Sequence, residues 1–273
     1  NIGSTVTRNQ PKAPGSVIIG PYGVDSFITY PGIIANQPAI EQVAAGVGIT
    51  NTLPEVDGVV RRMPMVVQID KELYPTLSLE VIRALTGDPS YQMKVGLNGI
   101  ESVRVPQFET IQTDSNARVW IKYNKEFDRR LIYHMDDIEN KVVILTISAE
   151  GLATNVPTPY GLKNIAEVQA AMISTLVNGD SLTRLDYADF VEILTLTLIG
   201  LLFIILVPRL KIWQTIPFFV GISAGIVGFC FYMYEMNILF DYSFPLFTIT
   251  LVFAWLVFNN FAREFRLKQQ IKK

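Results

Sequence analysis

Cysteine and histidine are the scarcest residues here, with one of each, Cys230 and His134, among 273. A single cysteine excludes an intrachain disulfide, and its apolar neighbours favour a buried, inert thiol over a reactive one. A histidine-rich metal site or a Ser-His-Asp triad would have to be built around His134, for which a hydrogen-bonded surface role is simpler. An excess of one charge is also lacking, since the formal net charge is -2. No basic field and no track of Lys/Arg interleaved with aromatics offers itself to nucleic acid, so no nucleic-acid partner is expected. Gly46-Val47-Gly48 lacks the third glycine of a dinucleotide fingerprint, because Asn51 stands there. Asp136 and Asp137 read as turn-flanking carboxylates before they read as an acid/base pair. The chain has no initiator methionine and no charged-plus-apolar leader at Asn1, and it stops in a basic run at Lys272-Lys273, so both ends read as cut.

Apolar residues, by contrast, are abundant at 49%. Phe190 to Val207 reads "FVEILTLTLIGLLFIILV", where Glu192 is the sole charge; Ile216 to Tyr232 and Phe244 to Phe261 carry none. Each run is long enough to cross a hydrocarbon core of roughly 30 Å. Three spanning helices, at about 190–207, 216–234 and 244–261, are the strong reading, with apolar helices buried in a globular core as the alternative. Pro217 and Pro245 are expected in the first turns of their spans. Gly221 and Gly225 form a GxxxG pair with Gly228 one turn on, open either to a helix of the same chain or to a second copy. Arg209 and Lys211 follow the first run, Arg263, Arg266, Lys268, Lys272 and Lys273 follow the third, and the intervening "YEMNILFDYS" holds only Glu235 and Asp241. The positive-inside rule therefore places residues 1–189 outside the membrane and 262–273 in the cytoplasm.

Residues 1–189 alternate short apolar strands with helix-like stretches. "SVIIGPYG", "VVRRMPMVVQID", "YQMKVGL", "SVRV", "RVWIKY" and "KVVILTIS" read as strands, the last as a buried one; "PAIEQVAAGVG", "TLSLEVIRALTG" and "IAEVQAAMISTLVNG" read as helices. The expected class is α/β, a mixed and partly parallel sheet with flanking helices, followed by an all-α three-helix transmembrane bundle. Asp57-Gly58 supplies a tight hairpin turn, and Leu97-Asn98-Gly99 and Thr113-Asp114-Ser115-Asn116 read as a further pair of turns. Arg61 and Arg62 follow on opposite faces of a strand, so at least one of them should find a partner inside or across the sheet. Glu167 is either a buried ligand contact or a helix-face carboxylate.

"LPEVDGVVRRMP", "LYPTLSLEVIRAL", "VPQFETIQTDSNARVWIKYN", "NKVVILTISAEGLATNVPTP" and "AEVQAAMISTLVNG" follow one another in an order that resembles the extracellular sensory domain called CHASE, type two. The resemblance covers roughly residues 45 to 270. It implies an outside domain, three closely spaced spans and a cytoplasmic signalling module. Asp57, Gly58, Arg61, Pro64, Pro75, Leu77, Thr113, Asp114, Ser148, Gly151, Pro159 and Glu167 match its blocks. Because Arg61 falls in such a block, the resemblance implies that it is the internal arginine of the pair, either pinning the Asp57 turn or the Ser148–Leu152 loop, or meeting an anionic ligand. Glu150 stands where a proline is usual and Gln169 where a histidine is usual, so any role of that histidine does not carry over.

"FAREFRLKQQIKK" resembles the juncture leading into a class III nucleotide cyclase, with kinases as other outputs. No cofactor is then expected in this chain, ATP and a divalent metal belonging to the cyclase module. The partners implied are membrane lipid, a second copy in a homodimer, and an unidentified periplasmic ligand or protein at the bacterial inner membrane. The competing class is an accessory membrane protein whose outer domain docks a periplasmic partner. An enzyme in the outer domain itself is disfavoured by its poor stock of nucleophiles and bases.

Overall fold

The computed structural model describes residues 11–20, 26–123, 125–134, 138–149, 151–184 and 187–271. Asp136, Asp137 and Glu150 lie outside the described residues, as do the side chains of His134 and of 264–271. The chain divides into two compact units between Ser181 and Leu182.

The first unit carries strands β1 (Gly15–Ile19), β2 (Thr29–Tyr30), β3 (Arg62–Pro64), β4 (Val66–Ile69), β5 (Glu72–Pro75), β6 (Ser90–Gly96), β7 (Gly99–Arg104), β8 (Thr110–Gln112), β9 (Arg118–Trp120), β10 (Asn155–Thr158) and β11 (Gly161–Asn164). Its helices are α1 (Pro38–Glu41), α2 (Leu77–Thr86) and α3 (Ile165–Val177). The main sheet runs β1-β6-β7-β8, with β1 parallel to β6 and the rest antiparallel. A second sheet, β2-β4-β5, opens with the parallel pair β2–β4, and β3–β9 and β10–β11 form antiparallel pairs. The α/β class with a partly parallel sheet is thus present. The core gathers Met63, Met65, Leu79, Ile82, Tyr91, Met93 and Val103 with Val168 and Met172 of α3. Period-2 burial along β6 supplies Tyr91 and Met93, and the apolar stripe of α2 supplies Leu79 and Ile82.

α2 ends where expected, since Gly87 takes φ +72°, the left-handed conformation that a helix C-terminus commonly needs. Three other elements differ from the sequence reading. "VVRRMPMVVQID" is broken at Met65, whose N–H donates to Ala117 O and whose carbonyl accepts Thr76 N–H, so that β3 and β4 serve different partners. The helix read in "PAIEQVAAGVG" stops after α1. Gly46 and Gly48 beyond it are packing glycines, because a Cβ on either would collide with the Glu80 carboxylate or the Leu77 backbone. "KVVILTIS" is not a buried strand: among the described residues 141–148 pairs with no sheet, and Val142, Val143, Leu145 and Ile147 are exposed. A β-branched run states a preference for a pleated surface but does not name a partner strand.

The second unit consists of α4 (Ala188–Leu206), α5 (Ile212–Glu235) and α6 (Ser243–Ile271), all long and apolar enough to cross a membrane. Phe203, Val207, Ile226 and Ile249 pack between them, and the Phe219 and Phe253 rings stack at 4.3 Å. Outward-facing Leu198, Ile204, Phe231, Trp255 and Phe258 are exposed, a pattern that fits hydrocarbon as solvent. Thr197, Thr248 and Thr250 return their hydroxyls to carbonyls one turn back. Pro245 lies in the first turn of α6 as expected, whereas α5 begins at Ile212 and Pro217 falls inside it. α6 continues past Phe261 as one helix to Ile271.

Candidate functional site

The Asp57 turn is the best-defined part of the candidate site. Gly58 N–H donates to Glu55 O at 2.8 Å and Glu55 N–H to Val59 O at 2.9 Å, and Gly58 sits at φ +81° with open space around its missing Cβ. Asp57 Oδ1 accepts Val59 N–H at 3.1 Å, an Asx turn that holds the bend from inside. Arg61 closes the same turn with two bonds, at 3.0 and 2.7 Å, to the two Asp57 carboxylate oxygens. That guanidinium, then the Val59 N–H, holds the Asp57 carboxyl down at about 2.

Arg61 is therefore the outward arginine, contrary to the sequence reading, and Arg62 is the inward one. Arg62 opens β3 directly opposite Trp120 of β9, which sets its guanidinium over the indole at 4.8 Å. From there it donates two bonds to Glu55, at 2.6 and 2.7 Å, and one to Asp114 Oδ2 at 2.8 Å. The Arg62 bonds keep the Glu55 carboxyl below its ordinary value. Asp114 is the hub of a second turn: Oδ1 accepts the N–H groups of Asn116 and Arg118, at 3.0 and 2.9 Å, and Oδ2 also accepts Arg118 Nε at 2.8 Å. Two Asx turns far apart in sequence are thus joined through one half-buried arginine.

The backbone around these turns is also captured. Val60 N–H donates to Pro157 O at 2.8 Å, Tyr123 Oη donates to Val60 O at 3.0 Å, and Ile121 N–H donates to Arg61 O at 2.9 Å. β10 therefore reaches the Asp57 block by a bond outside any ladder. Pro64 is buried in the β3–β9 pair, and Thr113 Oγ1 is buried with no hydrogen-bond partner among the described residues.

Glu167, Ser148 and Gly151 lie apart from this group. Glu167, in the first turn of α3, meets Arg129 at 2.7 Å and Lys163 at 3.7 Å on the wall of a cleft of about 340 Å³ lined also by Tyr123 and Phe127. Ser148 and Gly151 are exposed, Gly151 at φ +82°, and the 146–147 stretch contacts the α3 cap through Thr146 to Asn164 at 3.2 Å. Gln169, in α3, is buried; Ser78 Oγ donates to its Oε1 at 2.6 Å and its Nε2 donates to Thr50 O at 3.2 Å. Gly221, Gly225 and Gly228 of α5 form an open stripe, since a Cβ at any of them would meet nothing within 4 Å. Among the described residues no group of three or more His, Cys, Asp and Glu side chains is placed to hold a metal.

Sequence reasoning passed over Glu55, Arg118 and Trp120, and it weighed Arg62 only as the opposite-face neighbour of Arg61. Arg118 had a signal in its adjacency to the Thr113–Asn116 turn. The family model of the CHASE2 domain matches residues 6–205, most of the chain. The chain belongs to the CHASE2 family. CHASE2 is an extracellular sensory domain of membrane receptors, and the three apolar helices fit that setting. Comparison with curated proteins found no match. Comparison with solved structures found none either. At the matched blocks the first unit displays a scaffold stitched by charged groups around Arg62, and the cleft beside Glu167 is linked to it through Tyr123, which lines the cleft and donates to Val60 O.

Proposed function

We propose that the chain is the sensory and transmembrane part of a bacterial membrane receptor, relaying an extracytoplasmic signal to a cytoplasmic class III adenylate cyclase. The observation that carries this reading is α6, a single helix that runs from an apolar span through Arg263 to Ile271, so that a shift of the span is a shift of the tail. The Lys/Arg asymmetry supports placing the CHASE2 unit in the periplasm and the tail in the cytoplasm. The open glycine stripe of α5 supports a homodimer in the inner membrane, where small residues let two helices approach closely. The outer unit takes an unidentified periplasmic ligand or protein; ATP and a divalent metal act at the cyclase module, whose sites two copies complete together.

A second reading, an accessory subunit that docks a periplasmic protein, draws on the exposed apolar residues Leu131, Ile132, Tyr133, Leu145 and Ile147. Expressing the complete reading frame in membranes and assaying conversion of ATP to cyclic AMP separates the two. Activity supports the receptor cyclase; a complete frame without a catalytic module and without activity supports the docking subunit.

A further inference from the structure

Leu182 to Arg184 lead into α4, and they are hydrogen-bonded to the connection between α5 and α6. Thr183 forms a parallel bridge with Ile238. Its N–H donates to Asn237 O at 2.9 Å, and Leu239 N–H donates to Thr183 O at 2.9 Å. Arg184 Nη2 then donates to Asp189 Oδ1 at 2.5 Å and to Glu192 Oε2 at 3.2 Å. The other oxygen of the same carboxylate, Glu192 Oε1, accepts Asp241 N–H at 2.8 Å. Asp241 Oδ1 in turn accepts the N–H of Ser243, the first residue of α6, at 2.9 Å.

Glu192 is the sole charge in the first apolar run, and only 12% of its side chain is exposed. A carboxylate at the edge of a span is costly unless its oxygens are partnered, and ionisable residues in such segments pair with one another or with backbone. Here each oxygen has a partner, and the two partners belong to different segments: the chain entering α4 and the connection entering α6. One side chain thus fixes the start of α6 relative to residues 183–184.

We propose that this clasp is where a signal enters the membrane unit, delivering movement of residues 182–184 to the first turn of α6 directly as well as to α4 through the covalent chain. α6 is the helix that continues to Ile271, so the input reaches the output helix without first passing through α5. The proposal rests on the receptor reading above for its signal, while the clasp itself is tested by structure alone.

The test uses the full chain in membrane vesicles with Cys230→Ser as background. Thr183→Cys with Ile238→Cys should join on oxidation in most molecules; adding Glu192→Ala should lower that yield several-fold, and Glu192→Gln, which keeps an acceptor for Asp241 N–H, should lower it less. A spin label at Phe244→Cys, in the first turn of α6, should gain mobility both with Thr183→Pro, which removes the bridging N–H, and with Glu192→Ala. No cross-link, a yield indifferent to Glu192→Ala, or a label that neither change mobilises would overturn the proposal. A Glu192-dependent cross-link and a responsive label in a protein without cytoplasmic output would support the clasp and contradict the receptor reading, so the two failures are distinct.

Discussion

Arg62 Nη1 stands 2.8 Å from Asp114 Oδ2, a bond between residues 52 positions apart that ties the β3 strand end to the turn before β9. Because Arg62 also holds Glu55 and lies over Trp120, one guanidinium unites the acidic turn, the β3–β9 pair and the second Asx turn. The consequences of that arrangement are measurable.

Arg62→Ala should destabilise the CHASE2 unit on the order of 2 kcal/mol, because it strands the partly buried Glu55 carboxylate, takes one of the two cationic partners of Asp114 and removes the cover on Trp120. Arg61→Ala removes only an exposed pair and should leave the urea midpoint close to that of the wild type. Equal losses from the two variants would show that the network does not distinguish them.

The Asp57 turn should weaken in acid. Its carboxyl is held at about 2, below the value of about 3.9 for an unfolded aspartate. The stability linked to Asp57, small because the pair is exposed, is therefore full above the higher value and lost as pH falls through the lower one. Glu55, lowered by Arg62, adds to the same trend. Carboxyl resonances followed by NMR should place the Asp57 midpoint near the low value, and Arg61→Ala should move it upward; an unmoved midpoint would show that Arg61 is not its partner.

Gln169→Ala should cost about 2–4 kcal/mol in denaturant unfolding, since it opens a cavity and leaves Ser78 Oγ and Thr50 O without their partner. A cost below that range would mean that water or Ser78 repacking replaces the amide.

Gly87→Ala should cost about 1 kcal/mol, since the position has φ +72° and open space, so the penalty is one of backbone conformation alone. Thermal unfolding of the wild type and the variant reads it directly.

Period and length made the three spans, α2 and α3 legible in the sequence, because a helix is specified by its own residues. The Asp57 and Asp114 turns were legible for a similar reason: Asx chemistry is local. What was not legible depends on cross-strand register. Alternation says that Arg61 and Arg62 part company, but only the pairing of Arg62 with Trp120 decides which goes inward. "KVVILTIS" misled for the converse reason, as its composition asks for a sheet that its neighbours do not supply. β10 was hidden by Pro157, whose carbonyl nonetheless takes the Val60 N–H. Glu192 did carry a signal, a lone carboxylate in an apolar run, though its partners at Arg184 and Asp241 emerge only when the helices assemble.

The proposed receptor places the CHASE2 unit and the α6 tail on opposite sides of the membrane, with α4, α5 and α6 each crossing it once. Single cysteines at Val56, fully exposed at the tip of the Asp57 turn, and at Gln270 would be placed in a Cys230→Ser background and treated with a membrane-impermeant thiol reagent in sealed right-side-out vesicles. The account predicts labelling of Val56→Cys at once and of Gln270→Cys only after the vesicles are opened. Labelling of both positions from the same side would contradict it.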